Sequence, residues 1–238
     1  MKTVLHKEEE RGRADFGWLQ ARFSFSFGSW QNRSRVHFGA LRVLNDDIIA
    51  ASMGFGRHPH DNMEIVTIPL SGALKHADST GGQGIISKGE VQIMSAGSGI
   101  EHSEMNASHT EEARTLQIWV FPKEHNIKPR YDQRDFRSQL TPGKFKTLVS
   151  PNAEADDAMW INQDAWFCIG RFDEAATVPY KLGKAGNGVY AFVLEGAVKA
   201  GGQSLSRRDA LGIWDTNEVN FEIAAGTELL LIDVPMEF

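Results

Sequence analysis

Hydrophobic and polar residues alternate with a period of two along most of the chain. In ARFSFSF, residues 21–27, three phenylalanines fall on one face and two serines on the other, which predicts a half-buried strand. Related patterns predict strands at residues 63–74, 90–99, 113–122, 165–173, 188–202, 209–215, 219–226 and 228–235. Strands of this length, separated by short glycine-rich turns, are typical of an all-β barrel or sandwich.

Three segments differ from this pattern. Residues 37–56 read as a hairpin with Asn45, Asp46 and Asp47 at its turn. A short helix is expected in PRYDQRDFRSQL, residues 129–140, and the charged, turn-rich region 123–162 reads as a connection between two β units. EIVTIPLSGALKH and YAFVLEGAVKAGG echo each other about 120 residues apart, which favours two barrels of the same design over a solenoid.

Composition and charge exclude several classes of protein. A formal net charge of -6 argues against a sequence-independent nucleic-acid binder, which needs a basic surface. No apolar run approaches the ~18 residues of a membrane span, and the first residues lack the apolar core of a signal peptide. Cys168 is the only cysteine, so no internal disulfide is expected; we read it as a buried structural thiol in a cytoplasmic protein.

The segment GFGRHPHDNMEIV, residues 54–66, carries a first pair of ligand-type side chains. His58 and His60 stand two positions apart, so both imidazoles face the same side of an extended chain. Pro59 between them stiffens the pair. Glu64, four residues further on, keeps the same parity if the strand continues without interruption.

A second pair follows in SAGSGIEHSEMN, residues 95–106. His102 and Glu104 again stand two positions apart, after Gly97 and Gly99, which permit a tight turn. If the two segments form neighbouring strands, three imidazoles and a carboxylate converge. Such a donor set suits a divalent first-row metal, and an octahedral ion would keep positions open for water, dioxygen or substrate, as in a catalytic site.

The remaining histidines have no partner at ligand spacing. An isolated His-x-His pattern is a weak signal, but joined to the glycine-hinged His-x-Glu pattern it is far more specific. We therefore interpret the other five as surface or packing residues: His6, His37, His76, His109 and His125.

The two metal motifs, GFGRHPHDNMEI and GEVQIMSAGSGIEHSEMN, resemble the pirin family of the cupin superfamily. RGRADFGWLQARFSFSF, FGALRVLNDD and LQIWVFP are also similar to pirins, and the later part resembles the bacterial pirin-like quercetin 2,3-dioxygenases. The resemblance implies a bicupin, with two β-barrels of the double-stranded β-helix or jelly-roll type. We expect a metal-binding barrel at residues 1–135 and a vestigial one without metal at residues 136–238, since no histidine occurs from Trp166 to Phe238.

The resemblance also implies the ligands and the activity. It assigns the metal to His58, His60, His102 and Glu104, with Fe(II) as the expected ion, although Zn, Mn, Co, Ni and Cu accept the same donors. The implied reaction is the cleavage of a flavonol-type aromatic by dioxygen, with Glu104 as the group that takes the substrate proton. Other cupins take their carboxylate ligand from the position of Glu64, which we instead expect to hydrogen-bond a ligand histidine.

Two other functions stay open at this point. Some pirins are metal-bearing redox sensors that bind a protein partner without catalysis, and a cupin isomerase or an oxygenase for another aromatic is a third reading. The enzyme needs a small aromatic substrate and dioxygen as partners, and neither nucleic acid nor membrane. Five phenylalanines could line a flat apolar pocket, although core packing is the more usual role of such residues: Phe23, Phe25, Phe27, Phe38 and Phe55.

Overall fold

The computed structural model describes residues 1–154 and 157–238 and is almost entirely β-structure. Ala155 and Asp156, in the predicted connection, lie outside the described residues. The chain divides into two compact units. We call Gly12–His37 with Leu41–Arg137 the N-terminal unit, and Met1–Arg11, Phe38–Ala40 and Ser138–Phe238 the C-terminal unit. The long segment of the N-terminal unit ends at Arg137, and the first eleven residues belong to the C-terminal unit.

The N-terminal unit is built from two antiparallel sheets. After β1 (Lys2–His6) and a 3-10 helix at Glu8–Glu10, its strands are β2 (Gly12–Asp15), β3 (Leu19–Phe23), β4 (Leu41–Ile49), β5 (Gly54–His60), β6 (Glu64–Ser71), β7 (Ala73–Asp78), β8 (Gln83–Ser87), β9 (Glu90–Ser95), β10 (Ile100–Asn106), β11 (Ala113–Val120) and β12 (Arg130–Asp135). Among the described residues, a seven-stranded sheet has the order β12-β9-β6-β11-β4-β3-β2, and a four-stranded sheet the order β5-β10-β7-β8.

The core of this unit lies between its two sheets. Ala21 and Ile49 on the larger sheet pack in one buried cluster with Leu74 and Ile86 on the smaller sheet. These residues occupy alternate positions of their strands, as the period-two pattern predicts, because every second side chain of a strand points to the same face.

The C-terminal unit repeats this design. A 3-10 helix at Arg137–Gln139 precedes β13 (Phe145–Ser150), β14 (Met159–Trp160), β15 (Trp166–Phe172), β16 (Ala176–Lys181), β17 (Asn187–Glu195), β18 (Ala197–Ala200), β19 (Gln203–Ser206), β20 (Ala210–Trp214), β21 (Glu218–Ile223) and β22 (Thr227–Pro235). In the described part of the chain, the sheets have the orders β1-β20-β17-β22-β15-β13-β14 and β16-β21-β18-β19. Val189 and Leu231 of the first sheet pack on Phe221 of the second. The predicted all-β fold with two cupin barrels is confirmed.

The hairpin turn predicted at Asn45, Asp46 and Asp47 is wrong. β4 runs straight through these residues, and the chain turns after Ile49. β4 lies between β3 and β11 in the larger sheet, and the side chains of Asn45 and Asp47 are buried. Turn-type residues are therefore tolerated here because strand neighbours on both sides satisfy the backbone.

Two further segments differ from their predictions. Residues 130–135, where a helix was expected, form β12, which pairs with β9; only the 3-10 turn at Arg137–Gln139 is helical. The strand that starts at Leu19 stops at Phe23, and Ser24 and Ser26 are buried instead of lying on a polar face. Among residues 1–154 and 157–238, no helix has the length and apolar character required to cross a membrane.

Candidate metal centre

Strand pairing in the four-stranded sheet assembles the candidate ligands. His102 on β10 lies opposite His58 on β5, and Ile100 lies opposite His60. Side chains that face each other across antiparallel strands point to the same side of the sheet. The predicted convergence of the His58–His60 pair with His102 therefore follows from the pairing of β5 with β10.

The three histidines lie close together. Their ligand atoms all fall within 4.8 Å of one another, and we call His58, His60 and His102 the outer triad. The ring centroids of His58 and His102 are 4.4 Å apart, and that of His60 is 4.9 Å from each. His102 is buried, whereas His58 and His60 are half-buried.

Glu104 lies beside the outer triad in a second group. Its carboxylate, with His102 and His76, forms a buried set whose ligand atoms also lie within 4.8 Å of one another; we call this set the inner triad. His76, which the sequence analysis leaves out of the site, lies next to the candidate ligands, because His76 on β7 pairs directly with Glu104 on β10. The segment HAD, residues 76–78, places His76 and Asp78 two positions apart, and this spacing was the signal that could have identified them.

The turn before β10 has the form that its glycines predict. Gly97 has φ +49°, and a Cβ there would lie 2.0 Å from the carbonyl oxygen of Ile127. Gly99 has φ +130°, a conformation that other residues rarely adopt. After this turn, β10 begins at Ile100. The position of this start determines which face of the strand His102 and Glu104 occupy.

The imidazole nitrogens fit a metal ion. Nδ1 of His58 donates a hydrogen bond to the carbonyl oxygen of Gly56 at 2.7 Å, which leaves the lone pair of Nε2 available. In the described part of the chain, neither ring nitrogen of His102 has a hydrogen-bond partner, although both are buried. Buried polar atoms are normally paired, and a neutral imidazole keeps one lone pair, so a bound cation accounts for one of the two nitrogens of His102.

The protonation of the triad favours cation binding. Burial, followed by the charges of His58 and His60, lowers the pKa of His102 to about 3. Burial and the charge of His58 lower the pKa of His60 to about 4. Both imidazoles are therefore neutral at pH 7, and neutral imidazole is the form that binds a metal.

Glu104 is held from the opposite sheet. Thr67 Oγ1 donates to Oε1 of Glu104 at 3.1 Å, and Gln117 Nε2 donates to Oε2 at 2.6 Å. Thr67 and Gln117 lie on the paired strands β6 and β11. Burial raises the pKa of Glu104, and these donors together with the charge of His76 oppose that increase.

Glu64 was expected to lie on the same strand face as His58 and His60, and this expectation is wrong. β5 ends at His60 and β6 begins at Glu64, with Asn62 between them at φ 42°, so the strand does not continue as the prediction required. Glu64 and Thr67 are three positions apart on β6 and therefore point to opposite faces. Thr67 reaches Glu104, whereas Glu64 accepts a hydrogen bond from Ser95 Oγ at 2.8 Å on the other side.

A pocket of about 580 Å³ opens next to the outer triad. Its wall includes His60, Asp61, Glu101 and Trp119. The rings of His60 and Trp119 meet edge to face, with centroids 5.0 Å apart. None of the five phenylalanines considered for an aromatic pocket lines this one; Phe23, Phe25 and Phe38 are buried instead.

Known proteins share both the sequence and this architecture. The Pirin family model matches residues 4–120, and the model of the quercetinase C-terminal cupin domain matches residues 147–234. A quercetin 2,3-dioxygenase of Escherichia coli (strain K12) is 40% identical over 235 residues, which cover 97% of this chain and 98% of the relative. The chain belongs to the pirin family.

Two other comparisons agree with the family. A pirin-like protein of Caulobacter vibrioides is 40% identical over 225 residues, covering 94% of this chain and 96% of the relative. The crystal structure of the bacterial pirin YhhW from Escherichia coli in complex with nickel(II) is similar with a TM-score of 0.92 and 38% identity, covering 98% of this chain and 99% of that one. Within the described residues, both ligand-type groups of this pirin lie in the N-terminal unit.

Proposed function

We propose that the chain is a metal-dependent dioxygenase that cleaves a flavonol-type aromatic. The ion would be held by His58, His60, His102 and Glu104. The observation that carries this proposal is that His60 belongs both to the outer triad and to the wall of the pocket. Relatives named quercetin 2,3-dioxygenase, aligned over nearly the whole chain, support the substrate class.

Fe(II) is the ion that we propose, with Zn, Mn, Co, Ni and Cu as alternatives that bind the same donors. Three imidazoles and one carboxylate, without thiolate, are a borderline donor set for such ions, and one related crystal structure is a complex with nickel(II). When bound, a divalent ion supplies Lewis-acid stabilisation of the deprotonated substrate hydroxyl.

The protein residues then bind the substrate and accept its proton. Trp119 presents an aromatic wall beside His60, which suits a flat ring system. Glu104 accepts the hydroxyl proton, because each carboxylate oxygen retains acceptor capacity beyond its bond to Thr67 or Gln117. Both atoms of dioxygen enter the product, and one ring carbon leaves as carbon monoxide.

Oxygen uptake and carbon monoxide release with a panel of flavonols test the proposal. The metal-loaded chain should consume one dioxygen per carbon monoxide released, and His60→Ala and His102→Ala should remove both. His109→Ala is the matched control, since His109 is exposed and bonds Ser52 outside the cluster, and it should retain full activity. Saturable flavonol or protein binding by the metal-loaded chain without oxygen uptake would contradict the enzyme and favour a metal-bearing binding protein.

A further inference from the structure

The inner triad forms a second convergence of donors next to the outer one. Glu104 and His76 face each other across β10 and β7, and His102 faces Asp78 two positions further along. The three donors, His76, His102 and Glu104, are all buried, with ligand atoms within 4.8 Å of one another. Regular strand pairing is therefore sufficient to bring them together.

The groups around His76 orient its ring and leave one ring nitrogen available to a metal ion. Its Nε2 lies 2.9 Å from Oδ2 of Asp78, whose other oxygen accepts from the backbone N–H groups of Thr80 and Gly82 and from the Thr80 hydroxyl. A carboxylate held by so many donors acts as an acceptor, so Nε2 carries the proton and Nδ1 keeps its lone pair. The ring of Tyr131 stacks on His76 with centroids 4.5 Å apart and fixes its orientation.

The alternative is a histidine that only packs. A packing histidine in a core normally has both ring nitrogens satisfied. In the part of the chain that the structure describes, however, Nδ1 of His76 is buried without a hydrogen-bond partner, as are both nitrogens of His102. A carboxylate that orients a histidine whose other nitrogen is free is the arrangement found behind metal-ligating histidines.

The charges of the cluster also favour a divalent cation. Glu104 and Asp78 are both buried and both lie against His76 or His102. A divalent ion at the inner triad would place positive charge next to these two acidic side chains in a region of low dielectric.

We propose that His76, His102 and Glu104 form a second, inner position for a divalent first-row transition metal ion. It shares His102 with the outer triad, so one ion occupies either position at a time. This inference rests on the proposed metal site and extends it. An ion in the inner position is withdrawn from His60 and from the pocket, which separates a metal-loaded resting state from the catalytic one.

Titration of the metal-free chain with Co²⁺, followed by visible absorption and by competition with a chelator, tests the inner position. The unmutated chain should bind one Co²⁺. The double variant His58→Ala/His60→Ala, which dismantles the outer triad, should still bind one Co²⁺, more weakly and with a changed spectrum. Addition of His76→Ala should lower that remaining affinity more than ~100-fold, beyond the usual loss from an outer-sphere partner.

The matched control adds His109→Ala to the same double variant, which should leave the remaining Co²⁺ affinity unchanged. Folding of each variant is checked by circular dichroism. In chains labelled with ¹⁵N-histidine, Zn²⁺ should shift the Nδ1 resonance of His76 in the double variant, or in the unmutated chain if the double variant does not fold. The absence of that shift, or Co²⁺ binding indifferent to His76→Ala, overturns the inner position.

The outcomes separate this inference from the proposed function. A double variant that loses all Co²⁺, beside an unmutated chain that binds one ion and consumes oxygen, refutes the inner position alone. An unmutated chain that binds no divalent ion refutes both.

Discussion

At the scale of single residues, two buried glutamates show that the direction of a side chain determines whether it can contact the candidate metal centre. Glu104 points to His76 and His102 and takes hydrogen bonds from Thr67 and Gln117. Glu64 is equally buried, but it lies on the other face of β6. Burial and residue type are the same for the two carboxylates, so their roles depend on the face that each occupies.

Glu104→Gln should weaken metal binding and remove turnover together, because the amide keeps the shape but loses the charge and the basicity. Glu64→Gln should leave metal affinity within about threefold, smaller than the ~10–100-fold typical for loss of an outer-sphere partner, since Glu64 bonds Ser95 away from the cluster. Competition with a metal chelator measures both affinities. The opposite ranking would mean that this chain takes its carboxylate ligand from Glu64.

Gln117 positions Glu104 through the bond from its amide at 2.6 Å. Gln117→Leu should lower metal affinity about 10–100-fold, the range for loss of a group that orients a ligand, while the fold persists. Gln20→Leu, on the exposed face of β3, is the control and should have no effect on metal affinity. Equal metal affinity in Gln117→Leu and the unmutated chain would refute the positioning role.

At the scale of elements, strands place residues that their local sequence leaves ambiguous. β4 carries Asn45 and Asp47 into the protein interior because it lies between β3 and β11. β12 forms where a helix was expected because it completes the edge of the larger sheet next to β9. In both cases, pairing with a neighbour outweighs the local propensity of turn-type or charged residues.

Asp209 links the segment that follows β1 to the later part of the C-terminal unit. This carboxylate accepts hydrogen bonds from Lys7 Nζ at 2.7 Å and from the backbone N–H groups of Glu8 and Ser206 at 2.9 Å. Burial opposes its ionisation, but these donors outweigh burial and lower the pKa of Asp209 below its ordinary 3.8. The interaction therefore stabilises the folded chain fully above pH 3.8 and is lost as the pH falls towards the lower folded-state pKa.

Asp209→Asn should reduce the free energy of unfolding at pH 7 by about 1.5–3 kcal/mol, the range for hydrogen bonds to a charged group. The difference from the unmutated chain should be constant between neutral pH and about pH 5, then shrink as the pH falls through 3.8. Urea unfolding at stepped pH measures it. A difference that does not change between pH 7 and pH 3 would show that the charge of Asp209 is unimportant.

At the scale of the whole molecule, two units of the same design differ in their chemistry. Each has a larger and a smaller sheet with apolar residues between them, and the strands pair antiparallel except for β13 with β14. Within residues 1–154 and 157–238, both groups of ligand-type side chains lie in the N-terminal unit. No histidine occurs from Trp166 to Phe238. The C-terminal unit does contain His6 on β1, but His6 lies 2.9 Å from the Tyr190 hydroxyl and is not part of either group of ligand-type side chains.

Removal of the metal by chelation should therefore destabilise the N-terminal unit and leave the C-terminal unit unchanged. Backbone amides of β5 and β10 should exchange hydrogen faster in the chelated protein, because a bound ion stabilises the state that binds it. Amides of β17 and β22 should keep their protection, and metal analysis should find one ion per chain. Hydrogen exchange followed by mass spectrometry checks this, and metal-dependent protection of β17 or β22 would contradict a metal-free second barrel.

The sequence by itself determined the fold class and the two pairs of candidate ligands. Alternation with a period of two is a property of the extended backbone, so the all-β architecture and the shared faces of His58 with His60 and of His102 with Glu104 follow from local spacing. The positive φ angles of Gly97 and Gly99 also agree with a turn that their residue type predicts.

Only the tertiary structure decided which of these faces meet. The turn at Asn62 reverses the expected parity of Glu64, and the pairing of β7 with β10 places His76 beside Glu104. The first eleven residues join the unit formed by the far end of the chain. Local spacing specifies the direction of a side chain relative to its own strand, whereas the neighbours of that strand depend on pairings between segments far apart in sequence.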